Sequence, residues 1–172
     1  LLPPMSLYDI NVGEGIPLAL KRATDEGVFP APGSGNLDDL ESKPCGLFYD
    51  LDAWEGNIEE CKRVFGPGFL HAIAFKSNAL GPMMQTCVNR GLGAECASMG
   101  EVLHAGKCGF ASDAIIFDSP VKTVAEIRYS LKNGIHLNID NFSELEVIAE
   151  QVADVGSAGV VGIRINPLCG AG

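Results

Sequence analysis

The sequence predicts a parallel α/β protein, an incomplete (β/α)8 TIM-type barrel of about five to six of the eight βα units. Three observations carry that prediction. From Cys45 onward, short β-rich runs alternate with segments of helical period, the pattern of βα units on a parallel sheet. The run centres Ala74, Glu95, Ile116, Asn138 and Ile163 are 21, 21, 22 and 25 residues apart, a steady period of one strand plus one helix. Most of the helical segments also carry their own start and stop signals. A doubly wound open sheet is the competing arrangement.

Residues 1–44 read as an irregular N-terminal segment. FPAPGSG (29–35) and the neighbourhood of Pro44 are rich in breakers, and a helix is expected before them, from about Ile16 to Asp25. The barrel is expected over 45–172. Its first run is GLFYDL, followed by a helix from Asp52 and Glu55 through Cys61 to Val64. HAIAFK (71–76) is the second run, with a helix over Leu80 to Asn89. GAECAS, AIIFDS, IHLNID and VVGIRINP follow in turn. The helices between them are placed at Met99–Ala105, Val124–Lys132 and Phe142 to about Val152. Ser98, Thr123 and Asn141 each precede a glutamate by three residues, the capping-box spacing or close to it. Gly106, Gly134 and Gly156 stand where helix ends favour a positive φ.

A chain of 172 residues admits about one domain with a real core. With 47% hydrophobic and 20% charged residues, the composition is that of a globular protein. A net charge of −10 argues against nucleic acid or an anionic membrane as partner, and no apolar run approaches a membrane span. LLPPMSLYDI has no basic n-region followed by an apolar stretch, so a cytoplasmic location is expected, an organelle being the alternative. A closed barrel needs eight strands and about 250 residues, so a fragment is the economical expectation. The six cysteines form no CxxC pair and read as small apolar residues. His104 and Cys108 would share a helix face, but no second ligand pair accompanies them, and no metal site is predicted.

In a parallel barrel, chemistry sits at the C-terminal ends of the strands. There the sequence places Lys76 and Asn78, Glu95 and Ser98, Asp118 and Ser119, Asn138 and Asp140, and Arg164 and Asn166. Ser98, Thr123 and Asn141 are accounted for as caps, and Asp118 and Asp140 as turn residues. Lys76 is not explained by capping. An apolar run leads straight into it, and a lysine in an apolar setting has its charged form disfavoured and becomes a nucleophile toward carbonyls. The competing reading is a lysine bridging to Glu95. Arg164 also follows an apolar run and needs a carboxylate, for which Glu95 is the natural candidate. Lys76, Glu95 and Arg164 are then expected to form a cation–anion–cation set. His71 and His136 begin strands, on the rim away from chemistry. No dinucleotide fingerprint, P-loop, GxSxG or HExxH motif is present.

AFKSN (74–78), GLGAECASMGEVLHA (91–105), FDSPVKT (117–123), LNIDNFSELEVIA (137–149) and VGIRINP (161–167) together resemble the N-terminal barrel of the fold-type III, alanine-racemase-like pyridoxal-phosphate decarboxylases that act on diaminopimelate, ornithine or arginine. The resemblance implies a barrel that binds pyridoxal 5′-phosphate, with Lys76 carrying the cofactor as an internal aldimine. It places Glu95 where the family usually has aspartate, Arg164 on a family arginine and Glu101 on a family glutamate. SMGE and LNIDNFSELE lean toward the diaminopimelate side. A small basic or diamino-acid substrate and a homodimer at full length are implied too. The family's ring-stacking histidine, glycine-rich phosphate loop and C-terminal β domain would all follow Gly172, so this chain alone is expected to be inactive. An amino-acid racemase on the same barrel and a catalytically dead regulatory homologue are the alternatives.

Overall fold

The computed structural model describes residues 15–28 and 49–165. The chain divides into two compact units, Leu1–Pro67 and Gly68–Gly172.

In the first unit, α1 spans Gly15–Asp25 and α2 spans Leu51–Phe65. The α1 helix carries ion pairs one turn apart, Lys21 with Asp25 and Arg22 with Glu26, which support an exposed helix modestly. Asp50 caps α2 by accepting the Ala53 N–H at 2.9 Å. The run GLFYDL is not a strand where it is described. Tyr49 and Asp50 have no regular structure and Leu51 already opens α2, because the Asp50 carboxylate takes up the unpaired N–H groups of a helix start. Residues 46–48 of that run lie outside the described residues.

The second unit alternates strand and helix: β1 (Ala72–Ala74), α3 (Gly81–Asn89), β2 (Gly93–Cys96), α4 (Met99–Cys108), β3 (Ile115–Phe117), α5 (Val124–Asn133), β4 (His136–Ile139), α6 (Phe142–Val155) and β5 (Val161–Ile163). All strand pairs are parallel, and the order across the sheet is β1-β2-β3-β4-β5. A doubly wound sheet reverses its order about a first strand. Here every strand is laid beside its predecessor, and right-handed crossovers then put all the helices on one face. That is barrel winding, five strands of it.

The register explains the division of faces. Ala94, Cys96, Ile115, Phe117, Leu137 and Ile139 point to the helix side and are buried. There α4 packs on β2 and β3, and α5 and α6 pack on β4. The opposite face carries Ala74, Glu95, Ile116 and His136 in one aligned row, with Asn138 beside Gly162. A side chain on Gly162 would collide with Asn138 Oδ1 at 2.4 Å and His136 Nε2 at 2.9 Å, so glycine leaves room for those two polar groups over β5.

Helix ends are built by a repeated device. At the end of α4, Gly109 takes φ 98°. Its N–H bonds the Gly106 carbonyl at 3.1 Å, and the Phe110 N–H bonds that of Ala105 at 3.2 Å. This is a Schellman closure, with buried Phe110 following the glycine. Gly91 repeats both bonds, before buried Leu92, whereas at Gly134 the glycine and buried Ile135 both donate to the Ser130 carbonyl. The stop expected at Gly106 is therefore three residues early. Thr123 and Glu126 form a full capping box. Ser98 and Asn141 cap through their side chains, but Glu101 and Glu144 reach one residue further back, to the N–H groups of Ala97 and Asp140. Among the described residues no helix is long and apolar enough to cross a membrane.

Candidate active site

Lys76 lies at the C-terminal end of β1, but not on the strand. The strand ends at Ala74, and a single 3₁₀ turn, Phe75–Ser77, carries the lysine. The next residue, Asn78, folds the chain back: its N–H bonds the Phe75 carbonyl at 3.1 Å, and its side-chain oxygen accepts the Leu80 N–H at 3.0 Å. Phe75 is 1% exposed and anchors the turn, while Lys76 is turned out to solvent. The apolar setting expected for this lysine is absent, because the turn gives the buried direction to Phe75. Nor does Lys76 bridge to Glu95. Among the described residues it has no carboxylate partner within 4 Å.

Glu95 sits on β2, half-buried on the face away from the helices. Burial pushes its carboxyl above the usual carboxylate range. Lys76 pulls it back, Asp118 and Glu101 push it further up, and Arg164 pulls it down weakly. Glu95 thus feels both cations without touching either.

Arg164 follows β5 and finds other partners than the one expected. Its Nη1 donates to Asp140 Oδ1 at 3.4 Å and lies 3.9 Å from Asp118 Oδ1. The cation–anion–cation set centred on Glu95 is not formed. Glu95 stands three strands away, about 14 Å along the sheet, whereas Asp140 and Asp118 close the two strands next to β5. Both aspartates, expected as turn residues, belong to the site. Their signal was in the sequence as the same aspartate after two consecutive strands, IIFD and LNID. Asp118 Oδ1 is buried and has no hydrogen-bond partner among the described residues, so it remains an open acceptor on the rim.

Behind this rim lies a buried ion pair. Lys122 Nζ is 3.0 Å from Glu144 Oε2 and 3.1 Å from Oε1, the two side chains being 0% and 7% exposed. Lys122 also donates to the Ser119 carbonyl at 2.6 Å, and its amine stands 5.7 Å from the centre of the Phe117 ring. Glu144 in turn accepts the Asp140 N–H at 2.8 Å. The β3–α5 loop is thereby tied to the residue that holds Arg164. Spacing in the sequence gave no sign of this pair, since its members are 22 residues apart on successive βα repeats.

An exposed primary amine, three carboxylates and a guanidinium therefore ring the C-terminal ends of a barrel-wound parallel sheet. Residues 53–171 match the family described as pyridoxal-dependent decarboxylase, pyridoxal binding domain. The chain belongs to this family. Within it, the diaminopimelate decarboxylase of Zymomonas mobilis is 37% identical over 99 residues, 57% of this chain and 24% of that protein. The diaminopimelate decarboxylase of Helicobacter pylori strain J99 is 34% identical over 121 residues, 69% of this chain and 30% of that protein. A crystal structure of diaminopimelate decarboxylase from Helicobacter pylori complexed with L-lysine superposes with a TM-score of 0.65 at 30% identity. It covers 77% of this chain and 34% of that one. The chain thus spans about a third or less of the length of these decarboxylases. The family and the barrel fold expected from the five motifs both hold.

Proposed function

We propose that this chain is the lysine-bearing part of a pyridoxal-phosphate-dependent amino-acid decarboxylase of the diaminopimelate type, and that Lys76 holds the cofactor. The observation that carries the reading is the placement of Lys76: a solvent-facing amine on an anchored turn, at the strand end where parallel barrels work. The names of the two decarboxylase relatives favour a diamino-acid substrate, and a homodimer is proposed for the assembled protein.

The residues fit an aldehyde cofactor at its reactive end. Lys76 supplies an amine that can bond an aldehyde carbon. Asp118 Oδ1, buried with no hydrogen-bond partner, supplies an acceptor for an N–H or O–H brought to the rim. When bound, pyridoxal phosphate provides the electron sink for the pair left behind as a substrate loses CO₂. This chain's side chains do the rest of what can be assigned. Lys76 would hold the cofactor through its exposed amine. Asp140 and Asp118 orient Arg164, whose half-exposed guanidinium keeps donors available toward the rim. Glu95, with its carboxyl pushed up, is suited to hold a proton at its oxygen within the field of Lys76.

The test is reductive trapping. The protein is mixed with pyridoxal phosphate, reduced with borohydride and digested, and the modified lysine is located by mass spectrometry. Selective modification at Lys76, abolished in Lys76→Ala, is expected. Modification spread evenly over the exposed lysines would sink the assignment. Release of CO₂ from diaminopimelate, ornithine or arginine separates the substrates. Because the chain spans a third or less of those relatives, the 172 residues alone are expected to trap cofactor without turning substrate over.

A further inference from the structure

The turn bearing Lys76 is gripped on both sides by one side chain from another element. His104, on α4, sets its ring edge-to-face against Phe75, with centroids 5.7 Å apart and planes at 76°. The same ring meets the Ala79 carbonyl through Nε2 at 2.9 Å. A carbonyl only accepts, so Nε2 carries the hydrogen and donates it. Cys108 Sγ, one helical turn along, lies 3.8 Å from Nε2 and 4.0 Å from Nδ1; with Nε2 donating, Nδ1 is the nitrogen able to accept a weak S–H contact. His104 therefore touches the residue immediately before Lys76 and the residue three after it.

The other bonds of this segment are local. Ser77 Oγ donates to the Ala74 carbonyl, and Asn78 bonds within five residues, to Leu80 and Met83. Phe110 supports Phe75 with a second ring contact, at 5.7 Å. Among the hydrogen bonds and ring contacts of the described residues, those of His104 are the ones that join the two flanks of the lysine through a separate helix.

We propose that His104 is a positioning residue for Lys76: it clamps the turn so that the amine is held at the rim instead of swinging with a loose loop. This rests on the reading of Lys76 as the cofactor lysine. A hydrogen bond and a ring contact can be separated by substitution. His104→Phe keeps a ring against Phe75 and removes the donor; His104→Gln keeps a donor for the Ala79 carbonyl.

The experiment measures the initial rate at which pyridoxal phosphate plus borohydride modifies Lys76, relative to Lys107, an exposed lysine on the same helix as His104. Circular dichroism checks that each variant is folded, and His104→Met, which fills similar volume without a ring donor, replaces His104→Phe if the latter unfolds. The Lys76-to-Lys107 ratio is expected to fall about fivefold in His104→Phe, the size of one lost hydrogen bond, and to return to within about twofold in His104→Gln. An unchanged ratio in His104→Phe, or no recovery in His104→Gln, overturns the positioning role. If the unaltered protein shows no preference for Lys76 over Lys107, the cofactor assignment itself falls, whatever the His104 variants do.

Discussion

Lys122 and Glu144 are the residues whose loss the fold will feel most directly. Removing one member of a buried pair strands the other charge away from water, at about 3–5 kcal/mol. Lys122→Met is therefore expected to lower stability by that order in a denaturant titration. Adding Glu144→Gln, which keeps an acceptor for the Asp140 N–H, should recover at least about half of it. Glu95 provides a pH signature of opposite character. Its folded carboxyl binds a proton more tightly than the unfolded one, so its stabilising contribution is present below the ordinary value of 4.5 and is lost as pH rises through the raised value. Glu95→Gln should leave stability nearly unchanged at about pH 4 and increase it at about pH 7, read from unfolding midpoints. A variant equally destabilised at both would contradict the burial assigned to this carboxyl. At this scale the sequence was partly legible. An apolar run ending on lysine marked Lys76, and strand ends marked Arg164. Which carboxylate meets the arginine was not legible, because that depends on the number of strands between them. Lys122 gave no signal at all, since its partner is fixed only by the packing of two successive loops.

Among the elements, two glycines in one helix end make opposite predictions. Gly109 holds φ 98°, and a Cβ there would meet only Val88 Cγ1 at an ordinary 3.9 Å. The cost of Gly109→Ala is thus conformational, about 1–2 kcal/mol. Gly106 lies within α4, and a Cβ there would meet nothing within 4 Å. Gly106→Ala should stabilise by about 0.5–1 kcal/mol. Thermal unfolding of the two variants should therefore move in opposite directions. Helix starts were legible to the residue at Ser98, Thr123 and Asn141, because capping is local chemistry. Ends were less so: Gly106 and Gly109 are equally good candidates by composition. What decides between them is Phe110, which needs the core behind the turn. Strand lengths were overread for the same reason. HAIAFK looks like one extended run, but only Ala72–Ala74 pairs with β2 before the chain curls to bury Phe75.

For the whole molecule, the strand period of 21 to 25 residues made parallel βα winding legible, while the choice between barrel and doubly wound sheet waited for the strand order. Thiol chemistry reports on the completed packing. Cys87 and Cys96 are 0% exposed, and burial pushes their thiols up to about 11 and about 12. Cys61 is exposed. A brief treatment with a maleimide at neutral pH is expected to modify Cys61 and leave Cys87 and Cys96 unmodified until denaturant is added; early reaction at Cys96 would contradict the packed face beneath β2 and β3. The strictly sequential strand order carries a consequence of another kind. Each strand pairs only with its neighbours in the chain order, so every pairing across the sheet closes a loop of about one βα unit. A loop of that length is short for a parallel pairing, and it lets each unit dock on its predecessor as it emerges during synthesis.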